Sequence, residues 1–128
     1  MKNAMISAEA FLAMGREVLA KQPFSVLIGA ELAALSPGRC ELHVPISDAV
    51  RQQHGFVHGG VLSYAADNAL TYAGGSALQV PVVTSEFKIN YVRPAVGERL
   101  IARAETNHVG KTQAVCRCDV FVSQGGEE

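Results

Sequence analysis

The sequence predicts an α+β domain in which one antiparallel sheet curls around a single buried helix. Three observations carry that expectation. Residues 58–75, HGGVLSYAADNALTYAGG, are apolar or small around most of a helical circumference and are bracketed by glycine pairs. A helix that is apolar all round belongs inside a fold rather than on its surface. Segments 82–92, 100–109 and 111–123 alternate apolar and polar residues, the period of two that half-buried strands show. An amphipathic helix and a hairpin precede the buried helix, so strands come in runs around it, as in an α+β layout.

Composition bounds the class. The chain has 128 residues, 48% hydrophobic and 18% charged, which fits one packed domain over residues 1–128. A formal net charge of −1 supplies no positive field for nucleic acid, so a nucleic-acid partner is not expected. A small basic pocket for one phosphorylated ligand stays compatible with that charge. No run of about 18 apolar residues exists, so no membrane span is expected. Lys2 would open a secretory leader, but Glu9, Arg16 and Glu17 interrupt its apolar core. Cys116 and Cys118 lie two apart on one strand face, a poor geometry for bridging each other or for a zinc knuckle. Free buried thiols in a reducing, cytoplasmic setting are expected.

Taken in order, residues 7–20 read as a helix. Ser7 is its N-cap, Glu9 suits the positive end of the dipole, and Phe11, Leu12, Val18 and Leu19 form one stripe. Lys21-Gln22-Pro23 is read as its end. Residues 25–46 read as two strands joined at Ser36-Pro37-Gly38, the second with Cys40, Leu42, Val44 and Ile46 on one side and Glu41 and His43 on the other. A polar stretch leads to the central helix, about 59–74, whose Ala65, Ala66, Ala69 and Ala73 admit close backbone approach. In 82–92, Val83, Ser85, Phe87, Ile89 and Tyr91 share one face. Residues 94–97 and Val109-Gly110-Lys111 are the expected turns.

Asp67 is the chemical outlier. An Asp is a weak helix former, and a buried carboxylate without a partner costs several kcal/mol. It is either a functional carboxylate or a residue that lies at a wet edge of the helix or caps a neighbouring strand, and its type alone does not choose. Gly59 and Gly60 at the helix start leave backbone N–H groups open to a ligand, with the dipole adding positive potential. That suits a developing oxyanion, although a tight turn into a crowded helix also uses paired glycines. Eight residues separate Gly59 from Asp67, about 12 Å of helix, whereas catalytic contact needs about 3 Å. If both serve one reacting carbon, a two-fold partner must supply one of them. His58 suits a structural role at that turn. His54 and His58 have the four-residue spacing of metal ligands, but Gly55 points to a loop there, so no metal is expected. No Gly-x-Ser-x-Gly elbow, phosphate loop or dinucleotide fingerprint occurs.

From His58-Gly-Gly to Asp67, nine residues after the His, the chain resembles the phenylacetate-degradation branch of the hotdog-fold acyl-CoA thioesterases. The similarity also takes in Gly55, Thr84, Tyr91-Val-Arg-Pro94, Gly97 and His108-Val-Gly-Lys111, and so most of residues 40–122. The resemblance implies a hotdog fold and hydrolysis of an acyl-CoA thioester, with CoA as part of the substrate and no cofactor. It implies that Gly60, with Gly59, offers N–H groups to the thioester oxygen. Asp67 of the facing subunit would act as general base or nucleophile, and Thr84 would orient water. Arg93, Gly110 and Lys111 would lie near the CoA phosphates. It implies a homodimer, with a dimer of dimers expected. Gln52 stands where many members carry Asn, with a longer arm for the same donation. The chain ends at SQGGEE where the family turns into one more strand, so a further strand is expected. A non-catalytic acyl-CoA-binding module is the alternative reading, and a hotdog dehydratase a weaker one, lacking its usual His/Asp arrangement. Phe56, Tyr64, Tyr72 and Phe87 are candidates for an acyl pocket, for core or for an interface.

Overall fold

The computed structural model describes residues 6–128; Lys2 of the leader reading lies outside them. Helix α1 covers Ala8–Ala20, with Ser7 as N-cap accepting from the Ala10 N–H at 3.1 Å. Leu19 is buried and Phe11 and Leu12 half-buried, but Val18 points to solvent, so the expected stripe is narrower than its sequence suggests. Gly15 takes part of that role. A Cβ there would stand 2.6 Å from Leu35 and 2.7 Å from Leu32, so the missing side chain is what lets α1 approach the sheet.

Residues 25–28 are not the start of a strand. Pro23 opens a second helix, α2 (Pro23–Ile28), which Gly29 closes in the left-handed conformation. Proline favours the first helical position because its missing N–H is unneeded there. The hairpin follows as β1 (Glu31–Ser36) and β2 (Arg39–Pro45). The central helix α3 spans Gly59–Leu78, one turn longer than expected. Strands β3 (Arg99–Val109) and β4 (Ala114–Ser123) complete an antiparallel sheet in the order β1-β2-β3-β4.

The core lies between this sheet and α3. Leu42, Val44, Leu100 and Ala102 are fully covered by Ala65, Ala69 and Ala73 of the helix. Burying each of the Leu and Val side chains contributes roughly 1.5–3 kcal/mol. The alanines set the distance, because only a methyl stands between helix and sheet.

Residues 82–92 correct a second expectation. They run extended but pair with no strand among the described residues. A cleft of about 1480 Å³ separates them from the outer edge of β4. Beyond β4 the chain reverses at Gly125-Gly126 (φ 60° and 87°), where Gln124 and Glu127 exchange two backbone hydrogen bonds of 2.7 and 3.1 Å. Glu128 then lines the cleft. Alternation along 82–92 does not report whether a neighbour strand is present, and Val83 of its apolar face stands in solvent. Among the described residues, no helix is long and apolar enough to cross a membrane.

Candidate active site

The start of α3 is built by two side chains. His58 is the N-cap, and its Nδ1 accepts the Gly60 N–H at 2.8 Å. This is the role of a capping oxygen played by a ring nitrogen, satisfying one of the orphan donors of the first turn. A Cβ on Gly60 would sit 3.0 Å from that nitrogen, so the cap itself calls for glycine. The Gly59 N–H makes no hydrogen bond among the described residues. Tyr91 reaches in from the extended segment; its hydroxyl donates to the Gly59 carbonyl at 3.2 Å and lies 3.0 Å from Ser63 Oγ.

A cavity of about 340 Å³ opens at this helix end. Gln52, Phe56, Gly59, Leu62, Tyr91 and Arg93 are among its walls. The Gln52 side-chain oxygen accepts the His54 N–H at 2.5 Å, and Gly55 closes the turn with its own N–H on the Gln52 carbonyl. The Gln52 amide nitrogen makes no hydrogen bond among the described residues and is free to donate. Of the four aromatic candidates, only Phe56 reaches this cavity. Tyr64 packs against Phe24 and hydrogen-bonds Ser25, Tyr72 donates to the Gly15 carbonyl, and Phe87 lines the large cleft.

Asp67 lies two turns further along α3. It is half-buried rather than enclosed, on the side facing the extended segment. The Thr84 hydroxyl donates to its Oδ1, and Thr71, one turn on, lies 3.3 Å from Thr84 Oγ1 while donating to the Asp67 carbonyl at 2.8 Å. Its other carboxylate oxygen has no partner among the described residues. Thr71 is a neighbour that sequence reading missed, although its place four residues after Asp67 puts it on the same helix face. Tyr91 carried no such local signal, because its hydroxyl meets its partners only through the fold.

Within one chain the candidate residues therefore form three groups. Gln52, His58, Gly59, Gly60 and Arg93 surround the N-terminus of α3, with residues 94–95 tied to the preceding loop by the Val57 N–H on the Ala95 carbonyl at 3.0 Å. Asp67 and Thr84 sit mid-helix. Gly110 and Lys111 lie near its far end, since Ala114, just after their turn, packs on Gly74. Inside one chain Arg93 and Gly110-Lys111 lie towards opposite ends of α3, a helix of 20 residues, about 30 Å long.

The thioesterase superfamily profile matches residues 54–128. The chain belongs to that superfamily. A relative from Deinococcus radiodurans is 31% identical over 105 residues, 81% of this chain and 70% of that one. The Escherichia coli acyl-coenzyme A thioesterase PaaI is 28% identical over 98 residues, 76% of this chain and 69% of that one. Among solved structures, a thioesterase family protein from Silicibacter pomeroyi is 38% identical and superposes with a TM-score of 0.79, covering 88% of this chain and 84% of that one. The superfamily match starts just before the His58 cap and takes in α3, the extended segment and both long strands, so the hotdog fold and its thioesterase class rest on the same residues as the site.

Proposed function

We propose that the protein hydrolyses acyl-CoA thioesters to CoA and a carboxylic acid, at sites shared between two protomers of a cytoplasmic homodimer, itself paired into a dimer of dimers. The observation that carries this reading is the separation along α3. The open Gly59 N–H and the capped Gly60 N–H stand at one end, and a hydroxyl-anchored carboxylate stands two turns away. One helix cannot bring both to one carbon. A two-fold axis that sets α3 antiparallel to its copy joins the donor end of each to the carboxylate of the other, and does so twice.

In such a site the thioester oxygen rests on the Gly59 and Gly60 N–H groups and the Gln52 amide. These dipoles are already aimed where negative charge develops, so little reorganisation is needed. The Gly60 N–H is shared between His58 Nδ1 and the substrate oxygen, without leaving its cap. Asp67 of the facing protomer accepts a proton from water held by Thr84 as that water attacks the carbonyl, and passes the proton to the departing CoA thiolate; alternatively it attacks the carbonyl itself, CoA thiolate leaves, and water hydrolyses the resulting anhydride to the acid and free Asp67. Arg93 at one protomer's donor end, and Gly110-Lys111 of the facing one, lie where CoA phosphates would pass.

Thiol release from a panel of aryl- and alkyl-CoA esters tests this, comparing wild type with Asp67→Asn and Asp67→Ala. The reading requires turnover by wild type and a loss of at least about 10²-fold in kcat in variants that keep their fold and oligomeric state. Binding of the esters without turnover would replace it with the acyl-CoA-binding module.

A further inference from the structure

Residues 82–92 have no ladder to hold them, so side chains fix them to the central helix. One attachment is Thr84 on Asp67, the other is Tyr91 on Gly59 and Ser63. The segment thus runs antiparallel to α3 and is fastened beside the N-terminal group of candidate residues and beside Asp67.

We propose that Tyr91 is a positioning residue for the N-terminal amides of α3, an inference that rests on the reading of those amides as donors to the thioester carbonyl. The Gly59 carbonyl and the Gly60 N–H belong to one planar peptide unit. Fixing the oxygen therefore fixes the direction of the N–H. Tyr91 does this with a hydroxyl that donates to the carbonyl at 3.2 Å, and Ser63, 3.0 Å away, supplies a hydrogen bond to the phenol oxygen. The ring lies against Gly59, where a Cβ would meet it at 3.7–3.9 Å. Glycine has the widest backbone freedom of any residue, so a Gly-Gly helix start needs external restraint if its amides are to be preorganised. His58 supplies one restraint, on the N–H side of this peptide, and Tyr91 the other, on its carbonyl side. The added hydrogen bond also polarises the peptide, strengthening the N–H as a donor.

Tyr91→Phe keeps the ring contact and removes only the hydroxyl. The expected result is a fall of about tenfold in kcat with KM changed less than about twofold, the signature of an interaction felt in the transition state. The Gly60 amide resonance and the His58 Nδ1 nitrogen resonance should both move, while the melting temperature stays close to wild type. Full kcat in Tyr91→Phe overturns the proposal. So does a fall in kcat with both resonances unmoved, because the hydroxyl would then act elsewhere. If wild type releases no thiol from any ester, the thioesterase reading fails together with the catalytic consequence drawn for Tyr91. The two resonances still decide whether the hydroxyl restrains the peptide.

Discussion

Thr84 donates its hydroxyl hydrogen to Asp67 Oδ1 from a segment that pairs with no strand among the described residues, joining two residues 17 positions apart. The bond orients one carboxylate oxygen and leaves the other open to water. Thr84→Val keeps the shape and removes the donor. It should lower kcat by about tenfold, as expected for one hydrogen bond to a charged group, while Thr84→Ser restores most of the rate. Steady-state thiol release measures both. Equal activity in the Val variant would show that Asp67 needs no such anchor.

The paired glycines are separable. A methyl on Gly60 meets His58 Nδ1 at 3.0 Å and Cε1 at 3.2 Å, whereas one on Gly59 makes only ordinary contacts with Tyr91. Gly60→Ala should therefore displace the cap and cost about 1 kcal/mol of stability, visible in urea unfolding. Gly59→Ala should leave stability within about 0.5 kcal/mol, yet it puts a methyl on the cavity wall. Both variants should lose at least about tenfold in kcat. A fully active Gly59→Ala would remove that residue from the substrate site.

How much of this was readable beforehand varies by residue. The Ser7 cap and the buried alanine face of α3 were legible because capping and periodicity are local. Lys21-Gln22-Pro23 does end α1, but the strand read from residue 25 is a second helix, because the restricted φ of Pro23 serves a helix start equally well; Gly29, six residues on, is the signal that decides it. For residues 82–92, alternation identified an extended chain correctly and a ladder incorrectly, since hydrogen-bond partners come from elsewhere in the sequence. Asp67 read as buried because its neighbours are apolar, yet it lies on the side of α3 that faces residues 82–92, where it is half-buried.

Two thiols should shape stability in base. Burial pushes Cys40 up to about 12, with Cys118 and Glu41 nearby adding to it, and burial likewise pushes Cys118 up to about 12, helped by Asp119. The folded chain thus holds protons that the unfolded chain releases above about pH 9. The stabilising contribution of the neutral thiols is complete below that pH and is lost as pH rises towards 12. For the deeply buried Cys40 the slope approaches about 1.4 kcal/mol per pH unit. Urea midpoints between pH 8 and 10.5 should fall less steeply in Cys40→Ala than in wild type, although the variant starts lower because of its cavity. Parallel curves for the two would mean that Cys40 ionises freely in the folded protein. Consistent with a held proton, Cys40 should resist thiol reagents until the chain unfolds.

The shared site makes a quantitative demand on mixtures of variants. Asp67→Asn retains an intact donor end, and Gly60→Val retains an intact carboxylate; each homodimer should be inactive. In a heterodimer with sites built across the axis, the intact Gly60 of one protomer faces the intact Asp67 of the other, while the remaining site carries both changes. Random reassociation makes about half of all dimers mixed, each with one working site of two, so activity should return to about a quarter of wild type. Sites contained within one chain predict no recovery, because every site then carries one lesion. Unfolding and refolding the two variants together, followed by thiol-release assay, distinguishes these outcomes. Refolding each variant alone controls for reversion of the fold, and size-exclusion of the mixture establishes that dimers have re-formed.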